Sequence, residues 1–244
     1  MLGFNGGLIG RQRSPLLNTG LWTPDEQQLS KKDPHWNSVS LLLHADGSNG
    51  STTFTDDSAN NFASTAGGNA QLSTAQYKYG SSSILCDGSG DFVRTPANAA
   101  FTFGLDNFTV EFWLRLDASF SFAAATYLLT FGTGNYLGIL SSTFRWRSSG
   151  GTNFITGTLT PVVETWYHVA LVRSGGGTKL FIDGTQDGST YVAGTDFTNN
   201  QITFGASGTG TNSLFGCMDD VRVTKGVARY TANFTPPATP FPNA

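Results

Sequence analysis

The stretch Phe108-Thr-Val-Glu-Phe-Trp-Leu-Arg-Leu116 decides the fold class. Its residues alternate between two sets, which is the period of a β-strand with one face in a core. The apolar set is Phe108, Val110, Phe112, Leu114 and Leu116, and the other set is Thr109, Glu111, Trp113 and Arg115. We expect a half-buried antiparallel strand with Glu111 in solvent.

A second block predicts a β-hairpin near the centre of the sheet. Its two apolar runs, Trp166-Tyr-His-Val-Ala-Leu-Val-Arg173 and Lys179-Leu-Phe-Ile-Asp-Gly184, are joined by a turn with three glycines. Short runs between Gly, Asn, Asp and Ser residues predict further strands at 39–44, 82–87, 92–95, 127–131, 136–140, 143–147, 202–204 and 218–224. The pattern indicates an all-β domain, either an antiparallel sandwich or a barrel.

Composition agrees with this class and narrows the function. The 244 residues include 30 glycines and 19 phenylalanines, and only 13% are charged, which favours many short strands over helices. A net charge of −3 argues against binding to nucleic acid. No segment has the length or apolar character of a signal peptide or a transmembrane helix, so we expect a protein that folds in the cytoplasm without membrane insertion.

The two ends of the chain differ from the middle. Residues 1–38 have no strand or helix period, and we interpret them as an extended N-terminal arm. The arm carries apolar side chains that predict docking onto a partner: Phe4, Leu8, Ile9, Leu17, Leu21 and Trp22. Residues 236–244 are rich in proline and cannot enter a sheet, so they form a surface strap or leave the domain.

Several blocks together resemble a known family. They are residues 41–47, 54–58, 80–91, 108–116, 166–173, 181–184 and 216–223, and their order is similar to that in the laminin-G-like branch of the concanavalin A-like lectin/glucanase superfamily. The resemblance implies a two-sheet antiparallel jelly-roll sandwich over residues 39–235. It also implies binding to carbohydrate or protein surfaces, and in many members a calcium ion.

Two terminal segments add a narrower resemblance. Residues 225–236, Lys-Gly-Val-Ala-Arg-Tyr-Thr-Ala-Asn-Phe-Thr-Pro, are similar to the version of the domain carried by bacteriophage tail fibres and appendages. Residues 1–22 resemble short leaders on such virion proteins. The resemblance therefore implies a component of a virus particle.

An enzymatic function is not expected. Related glycoside hydrolases need two facing carboxylates, yet the three glutamates, Glu26, Glu111 and Glu164, stand in no such motif. The three histidines are far apart, and no nucleophile elbow or phosphate-binding glycine loop accompanies them.

Calcium is a candidate cofactor that the resemblance supports. The candidate ligands are Asp46, Asn49, Asp57, Asp219 and Asp220, which belong to blocks that match ion-associated regions of the family. The alternative is that Asp56-Asp57-Ser58 forms an Asx turn and that Arg222 or Arg94 pairs with the acidic residues of the last strand. The sequence leaves both open.

A glycan site is predicted on the third quarter of the chain. Aromatic faces stack on sugars while amides and charges bind hydroxyls, and the best local cluster is Asn135, Tyr136, Arg145, Trp146 and Arg147. Alternation puts Trp146 on the side of Phe144 and away from both arginines. Trp146 is therefore better explained as a core residue.

These observations lead to one principal hypothesis and one alternative. The principal hypothesis is a non-enzymatic bacteriophage virion appendage whose sandwich binds host-surface glycans while residues 1–38 dock on capsid or tail proteins. Several copies in a homo-oligomer would gain affinity from multivalency. The alternative is a structural cement protein that binds no sugar.

Overall fold

The computed structural model describes residues 32–244. The predicted docking residues lie outside the described residues: Phe4, Leu8, Ile9, Leu17, Leu21 and Trp22. No helix within 32–244 has the length and apolar character that crossing a membrane requires. What the described chain forms instead is a set of short strands with two 3-10 turns, Trp36–Ser38 and Ala99–Phe101.

Sixteen strands are numbered in chain order. They are β1 (Val39–Leu43), β2 (Thr65–Gly67), β3 (Gln71–Ser73), β4 (Ser83–Asp87), β5 (Phe92–Arg94), β6 (Phe108–Leu116), β7 (Thr126–Phe131), β8 (Tyr136–Leu140), β9 (Thr143–Arg147), β10 (Asn153–Thr156), β11 (Trp166–Ser174), β12 (Gly177–Ile182), β13 (Thr185–Gln186), β14 (Tyr191–Val192), β15 (Ile202–Phe204) and β16 (Phe215–Lys225). The predicted bounds of β6, β8, β9 and β15 agree with the structure.

The strands form two antiparallel sheets. The first sheet runs in the order β13-β12-β11-β6-β16-β4-β3, with β1 also paired to β16 and β14 to β12. The second runs in the order β10-β9-β8-β7-β15-β5-β2. This arrangement confirms the all-β, two-sheet antiparallel sandwich, because sequence neighbours are split between layers as in a jelly roll.

An aromatic core joins the two sheets. Phe108 of β6, Phe131 of β7 and Trp146 of β9 are each at most 1% exposed. The ring of Phe131 lies edge-on to Phe108 at 5.8 Å and to Trp146 at 5.4 Å between centroids. Contacts of this kind add to the free energy of burying each ring, so the aromatic core stabilises the packing of the second sheet on the first.

The outer face of the first sheet is also buried, which corrects the expectation for Glu111. Glu111 has no exposed surface. The C-terminal segment, residues 226–244, lies across this face. Its Tyr230 and Phe234 pack on β11 and β12, and its Phe241 packs on Val39 and Leu42. Alternation placed Glu111 away from the core, as observed, but a second layer covers it, and the expectation that Glu111 is solvated is wrong.

Glu111 belongs to a buried ion network beneath this layer. Arg222 lies 2.8 Å from Glu111 and 3.1 Å from Asp33, and Arg229 lies 2.7 Å from Asp33. The Tyr230 hydroxyl donates to Glu111 at 2.9 Å. Burial alone would raise the pKa of Glu111, but the charge of Arg222, with smaller contributions from His168 and Arg229, lowers it to about 2. The network therefore contains an ionised carboxylate without access to water.

Residues 33–38, which the sequence analysis assigns to the N-terminal arm, pack against the sandwich. Asp33 is 5% exposed and joins the ion network. The amide of Asp33 donates to the carbonyl of Asn243 at 3.3 Å. The two ends of the folded domain therefore meet at one point on the first sheet.

Candidate functional site

A cavity of about 210 Å³ opens on the outer face of the second sheet. Its floor comes from β7 and β8, and its walls come from the turns that follow β7, β9 and β15. The lining residues are Tyr127, Thr130, Thr133, Gly134, Tyr136, Ser149, Ser207, Gly208, Thr209, Thr211 and Asn212. The lining combines two aromatic rings with hydroxyl, amide and backbone groups and contains no carboxylate.

Strand register places the cavity on a polar row that crosses the whole sheet. Paired residues in antiparallel strands present their side chains on the same face. The row reads Thr65, Arg94, Thr203, Thr130, Tyr136, Arg147 and Asn153, one residue from each strand. Neighbouring strands are about 4.8 Å apart, so the backbones of Arg94 and Arg147 lie about 19 Å apart across the sheet, with Tyr136 between them.

The aromatic floor is a pair of tyrosines. The rings of Tyr127 and Tyr136 are stacked with centroids 3.7 Å apart and an interplanar angle of 16°. Tyr136 is 5% exposed, whereas Tyr127 is half-buried. Burial and the hydrogen bond with Tyr136 raise the pKa of Tyr127 to about 12. The Tyr127 hydroxyl is therefore protonated at neutral pH and is able to donate as well as accept hydrogen bonds.

Arginines hold two of the cavity walls. The Arg94 guanidinium donates to the carbonyl of Gly208, and the Arg147 guanidinium donates to the carbonyl of Gly151. The Thr130 hydroxyl donates to the carbonyl of Ala206 at 2.9 Å. These bonds fix the turns after β9 and β15 on the sheet, since each turn is tied to a strand residue.

The turns after β7 and β15 approach each other closely and close one side of the cavity. A Cβ atom at Gly208 would lie 2.5 Å from the carbonyl oxygen of Gly132, which is too near for any side chain. Gly208 thus allows the turn after β15 to touch the turn after β7. A larger residue at this position would separate the two walls.

The predicted glycan residues fall in four different places. Tyr136 lines the cavity, and Arg147 is its cross-strand neighbour. Arg145 pairs with Gly138, farther along the same face. Asn135 lies in the turn before β8, where its carbonyl accepts the amide of Phe131. Trp146 has no exposed surface and belongs to the core, as the alternation indicated.

Sequence reasoning missed most of the cavity. Tyr127 belongs to a predicted strand but was not assigned to a site. Thr130 lies in the same strand and was also unassigned. The remaining missed residues come from Gly-, Ser- and Thr-rich turns, which carry no periodic signal: Thr133, Gly134, Ser149, Ser207, Gly208, Thr209, Thr211 and Asn212.

A wider cleft of about 620 Å³ lies at one end of the sandwich. It is bounded by the turns that follow β4, β6 and β15, and Asp87, Phe120 and Phe215 are among its lining residues. Thr211 and Asn212 line both the cleft and the cavity. The turn after β15 therefore separates two neighbouring depressions.

The candidate calcium ligands are bonded to protein groups. Asp219 accepts the amides of Lys78 at 2.6 Å and Tyr79 at 3.0 Å. Asp46 accepts the amide of Ser81 at 2.6 Å, and Asn49 accepts the amide of Thr74 at 3.1 Å. Within residues 32–244, no three His, Cys, Asp or Glu side chains are placed to share a metal ion. These oxygens do not form a ready ligand shell, and calcium stays a prediction of the resemblance.

The alternative explanation of these acidic residues holds in part. Asp56 accepts the amide of Ser58 at 2.9 Å, which is the expected Asx turn. Asp220 pairs with His44 at 2.7 Å, while Asp57 lies near enough to His44 for the two charges to interact. The expectation that Arg222 or Arg94 pairs with Asp219 or Asp220 is wrong. Arg222 pairs with Glu111 and Asp33. Arg94 donates hydrogen bonds to Thr203 and Gly208.

The two-sheet jelly roll with a polar cavity on one outer face defines a lectin-type β-sandwich. Residues 87–229, more than half of the chain, match the laminin G-like family described as the concanavalin A-like lectin/glucanases superfamily. The chain belongs to this family. Among proteins of curated function, none matches the chain in sequence.

Solved structures share the fold at low sequence identity. Domain 4 of an extracellular arabinanase from Geobacillus stearothermophilus, in complex with arabinotriose, has a TM-score of 0.58 at 15% identity over 78% of this chain and 94% of that chain. The binding domain of botulinum neurotoxin serotype D has a TM-score of 0.61 at 17% identity, over 80% and 50% of the two chains. Botulinum neurotoxin type C, described as dependent on two ganglioside molecules for cell entry, has a TM-score of 0.54 at 15% identity, over 79% and 49%. The chain thus spans about half the length of the neurotoxin structures.

Proposed function

We propose that the domain binds carbohydrate in the cavity on the outer face of the second sheet. The observation that carries the proposal is the stacked pair Tyr127 and Tyr136 inside a rim of hydroxyl and amide groups. The apolar face of a sugar ring packs on an aromatic face, while its hydroxyls need both donors and acceptors. The rim supplies both kinds of group within one small concavity.

Structural relatives support this choice. One was solved in complex with arabinotriose, and cell entry of another depends on interaction with two ganglioside molecules, so proteins that contain this sandwich interact with carbohydrate elsewhere. The proposal for this chain nevertheless depends on its own cavity, because sites vary among proteins of one fold.

We propose further that binding occurs without hydrolysis. Hydrolysis of a glycosidic bond generally needs a carboxylic acid and a second carboxylate on either side of the bond. The cavity lining has neither aspartate nor glutamate. The tyrosine hydroxyls and the threonine and serine side chains orient a ligand and supply no acid and base pair.

For the whole protein we propose a bacteriophage virion appendage that attaches to host-surface glycans. The support is the resemblance of residues 225–236 and 1–22 to virion proteins. In this proposal residues 1–31, the part of the N-terminal arm that precedes the residues packed on the sandwich, dock on capsid or tail proteins, and several copies act together on one particle. The protein would be made in the host cytoplasm and function in the virion.

A glycan array compares the wild-type protein with Tyr127→Ala and Tyr77→Ala. Tyr77 is 47% exposed and lies outside the cavity, so it is a matched control. We expect glycan binding that falls about tenfold or more in Tyr127→Ala and is unchanged in Tyr77→Ala. Repeating the array with a chelator measures any dependence on calcium. If the protein binds no glycan on the array but is incorporated normally into particles, the result supports the cement alternative.

Incorporation into particles tests the docking segment. We expect a protein without residues 1–31 to fold and to be missing from purified particles. If the shortened protein is incorporated as efficiently as the full chain, the assignment of docking to this segment is wrong.

A further inference from the structure

The strands of the second sheet carry positive charge and no negative charge. Their residues include Arg94, Arg145 and Arg147 and not one aspartate or glutamate. The chain as a whole has a net charge of −3. The outer face of this sheet is therefore positive on a protein that is negative overall.

The three arginines have neutral partners. Arg94 donates to the Thr203 hydroxyl at 3.2 Å, and Arg145 donates to the Thr143 hydroxyl at 3.4 Å, while Arg147 binds a backbone carbonyl. Among the ion pairs formed by residues 32–244, none includes these arginines. The Nε atom of Arg147 is buried without a hydrogen-bond partner. Their charge is thus not cancelled by a carboxylate in contact.

The two segments that line the cavity add no negative charge. Residues 118–163 and 197–218 contain no aspartate or glutamate. These two segments supply every residue of the cavity lining. The charge of Arg147 reaches the floor of the cavity, where it opposes the rise in the pKa of Tyr127. A ligand in the cavity therefore lies beside a positive charge and meets no carboxylate.

We propose that the cavity selects acidic carbohydrate, in which a sugar carries a carboxylate or a sulfate group. This inference rests on the proposed function and names the ligand class of the same site. The planar guanidinium group matches a carboxylate or sulfate with two parallel hydrogen bonds. Arg147 is the cross-strand partner of Tyr136. A sugar packed on the tyrosines thus places an acidic substituent within reach of Arg147.

The test uses an array in which sialylated, uronate-containing and sulfated oligosaccharides each stand beside an uncharged counterpart. We expect the acidic member of a pair to bind at least about tenfold more tightly, and its binding to weaken as NaCl is raised, since salt screens exposed charges. Binding to the sialylated and uronate-containing members indicates a carboxylate ligand, and binding to the sulfated members indicates a sulfate ligand.

Variants assign the selectivity to this face. Arg147→Gln removes both a charge and the bond to Gly151 that holds one cavity wall. It should lower affinity for the acidic member about tenfold more than affinity for the neutral member, and Arg147→Lys should recover part of this difference. Arg115→Gln is the matched control, because it removes the same charge from the first sheet, where Arg115 pairs with the exposed Glu164. Arg145→Gln is a second variant. Among residues 32–244 the Arg145 side chain hydrogen-bonds to Thr143 of its own strand, so this change keeps the bonds that hold the cavity walls.

Three outcomes overturn the proposal. Equal binding of acidic and neutral members that is lost in Tyr127→Ala would leave carbohydrate binding standing and remove the acidic selectivity. Equal losses in Arg147→Gln and Arg115→Gln would show an effect of net charge alone. If the protein binds neither the acidic nor the neutral members of the array, this inference and the proposed function are both rejected.

Discussion

His44 binds the C-terminal end of the domain through a charged hydrogen bond. Its Nδ1 lies 2.7 Å from Asp220 and its Nε2 lies 2.7 Å from the Asn243 side chain. Burial alone would lower the pKa of His44, but hydrogen bonds to Asp220 and Asn243 and the charge of Asp220 outweigh it and raise the pKa to about 9. The imidazole is therefore protonated at neutral pH and holds the C-terminal segment as a cation.

This shift predicts a pH dependence of stability. The folded protein holds the His44 proton up to about pH 9, whereas the unfolded chain releases it near pH 6.5. The stabilisation is complete below pH 6.5 and is lost as the pH rises through 9. We expect the free energy of unfolding to fall by roughly 2 kcal/mol over this interval, allowing for screening by solvent.

Urea unfolding at a series of pH values measures the change. The decrease should be absent in His44→Gln and retained in His35→Gln, whose side chain is exposed. A wild-type protein whose stability does not change from neutral pH to pH 9 would contradict the assignment.

Glu111 provides a second prediction at the scale of a residue. Glu111→Ala leaves Arg222 buried with only Asp33 as an acidic partner, and loss of one member of a buried ion pair costs about 3 kcal/mol. Glu164→Ala is the control, because Glu164 pairs with Arg115 at an exposed position and its removal should cost about 0.5 kcal/mol or less. Chemical denaturation of both variants gives the comparison. Similar losses in the two variants would show that the network contributes no more than a surface pair.

At the scale of elements, the C-terminal segment acts as part of the sandwich. Phe241 is 2% exposed, its amide donates to Asp220 at 2.8 Å, and the Arg222 guanidinium lies 3.9 Å from its ring centroid. The segment therefore shields both the ion network and the outer face of β1 and β16 from water.

Truncation of Phe241 should loosen this segment. Phe241→Ala removes a buried ring and admits water to Arg222, and we expect a loss of about 3 kcal/mol. Thr239→Ala, at an exposed position of the same segment, should have little effect. Thermal unfolding measures both. An unchanged melting temperature for Phe241→Ala would mean that the segment contributes nothing to stability.

The elements show which parts of the fold a sequence specifies. Alternation within Phe108–Leu116 located β6, because each side chain keeps its face whatever lies beyond it. The burial of Glu111 was not predictable from the same alternation, since the covering residues Tyr230 and Phe234 are more than a hundred positions away and lack a strand period. Short strands such as β2 and β13 were missed because they contain too few residues to show a period.

The same distinction applies to the candidate site. Alternation placed Arg145 and Arg147 on one face of β9 and Trp146 on the other, because strand geometry determines these directions. Three separate turns assemble the remaining cavity, and their Gly, Ser and Thr residues predict only that a turn is present. Which turns meet depends on the order of strands in the sheet.

At the scale of the molecule, the folded unit begins earlier than the strand pattern suggests. Asp33 contributes a buried carboxylate to Arg222 and Arg229. A chain that starts at Asp33 should therefore keep the stability of the full protein, whereas a chain that starts at Val39 should lose about 3 kcal/mol. Urea unfolding of the two truncated proteins makes the comparison. Equal stability would show that the sandwich does not depend on residues 33–38.

The hydrogen bond between the amide of Asp33 and the carbonyl of Asn243 has a practical consequence. Because the first and last residues of the folded domain lie side by side, the domain can be inserted into a surface turn of an unrelated host protein without distorting that turn. The grafted domain would project from the surface of its host, with its second sheet turned away from the attachment point. Display scaffolds for sugar capture could be built on this principle.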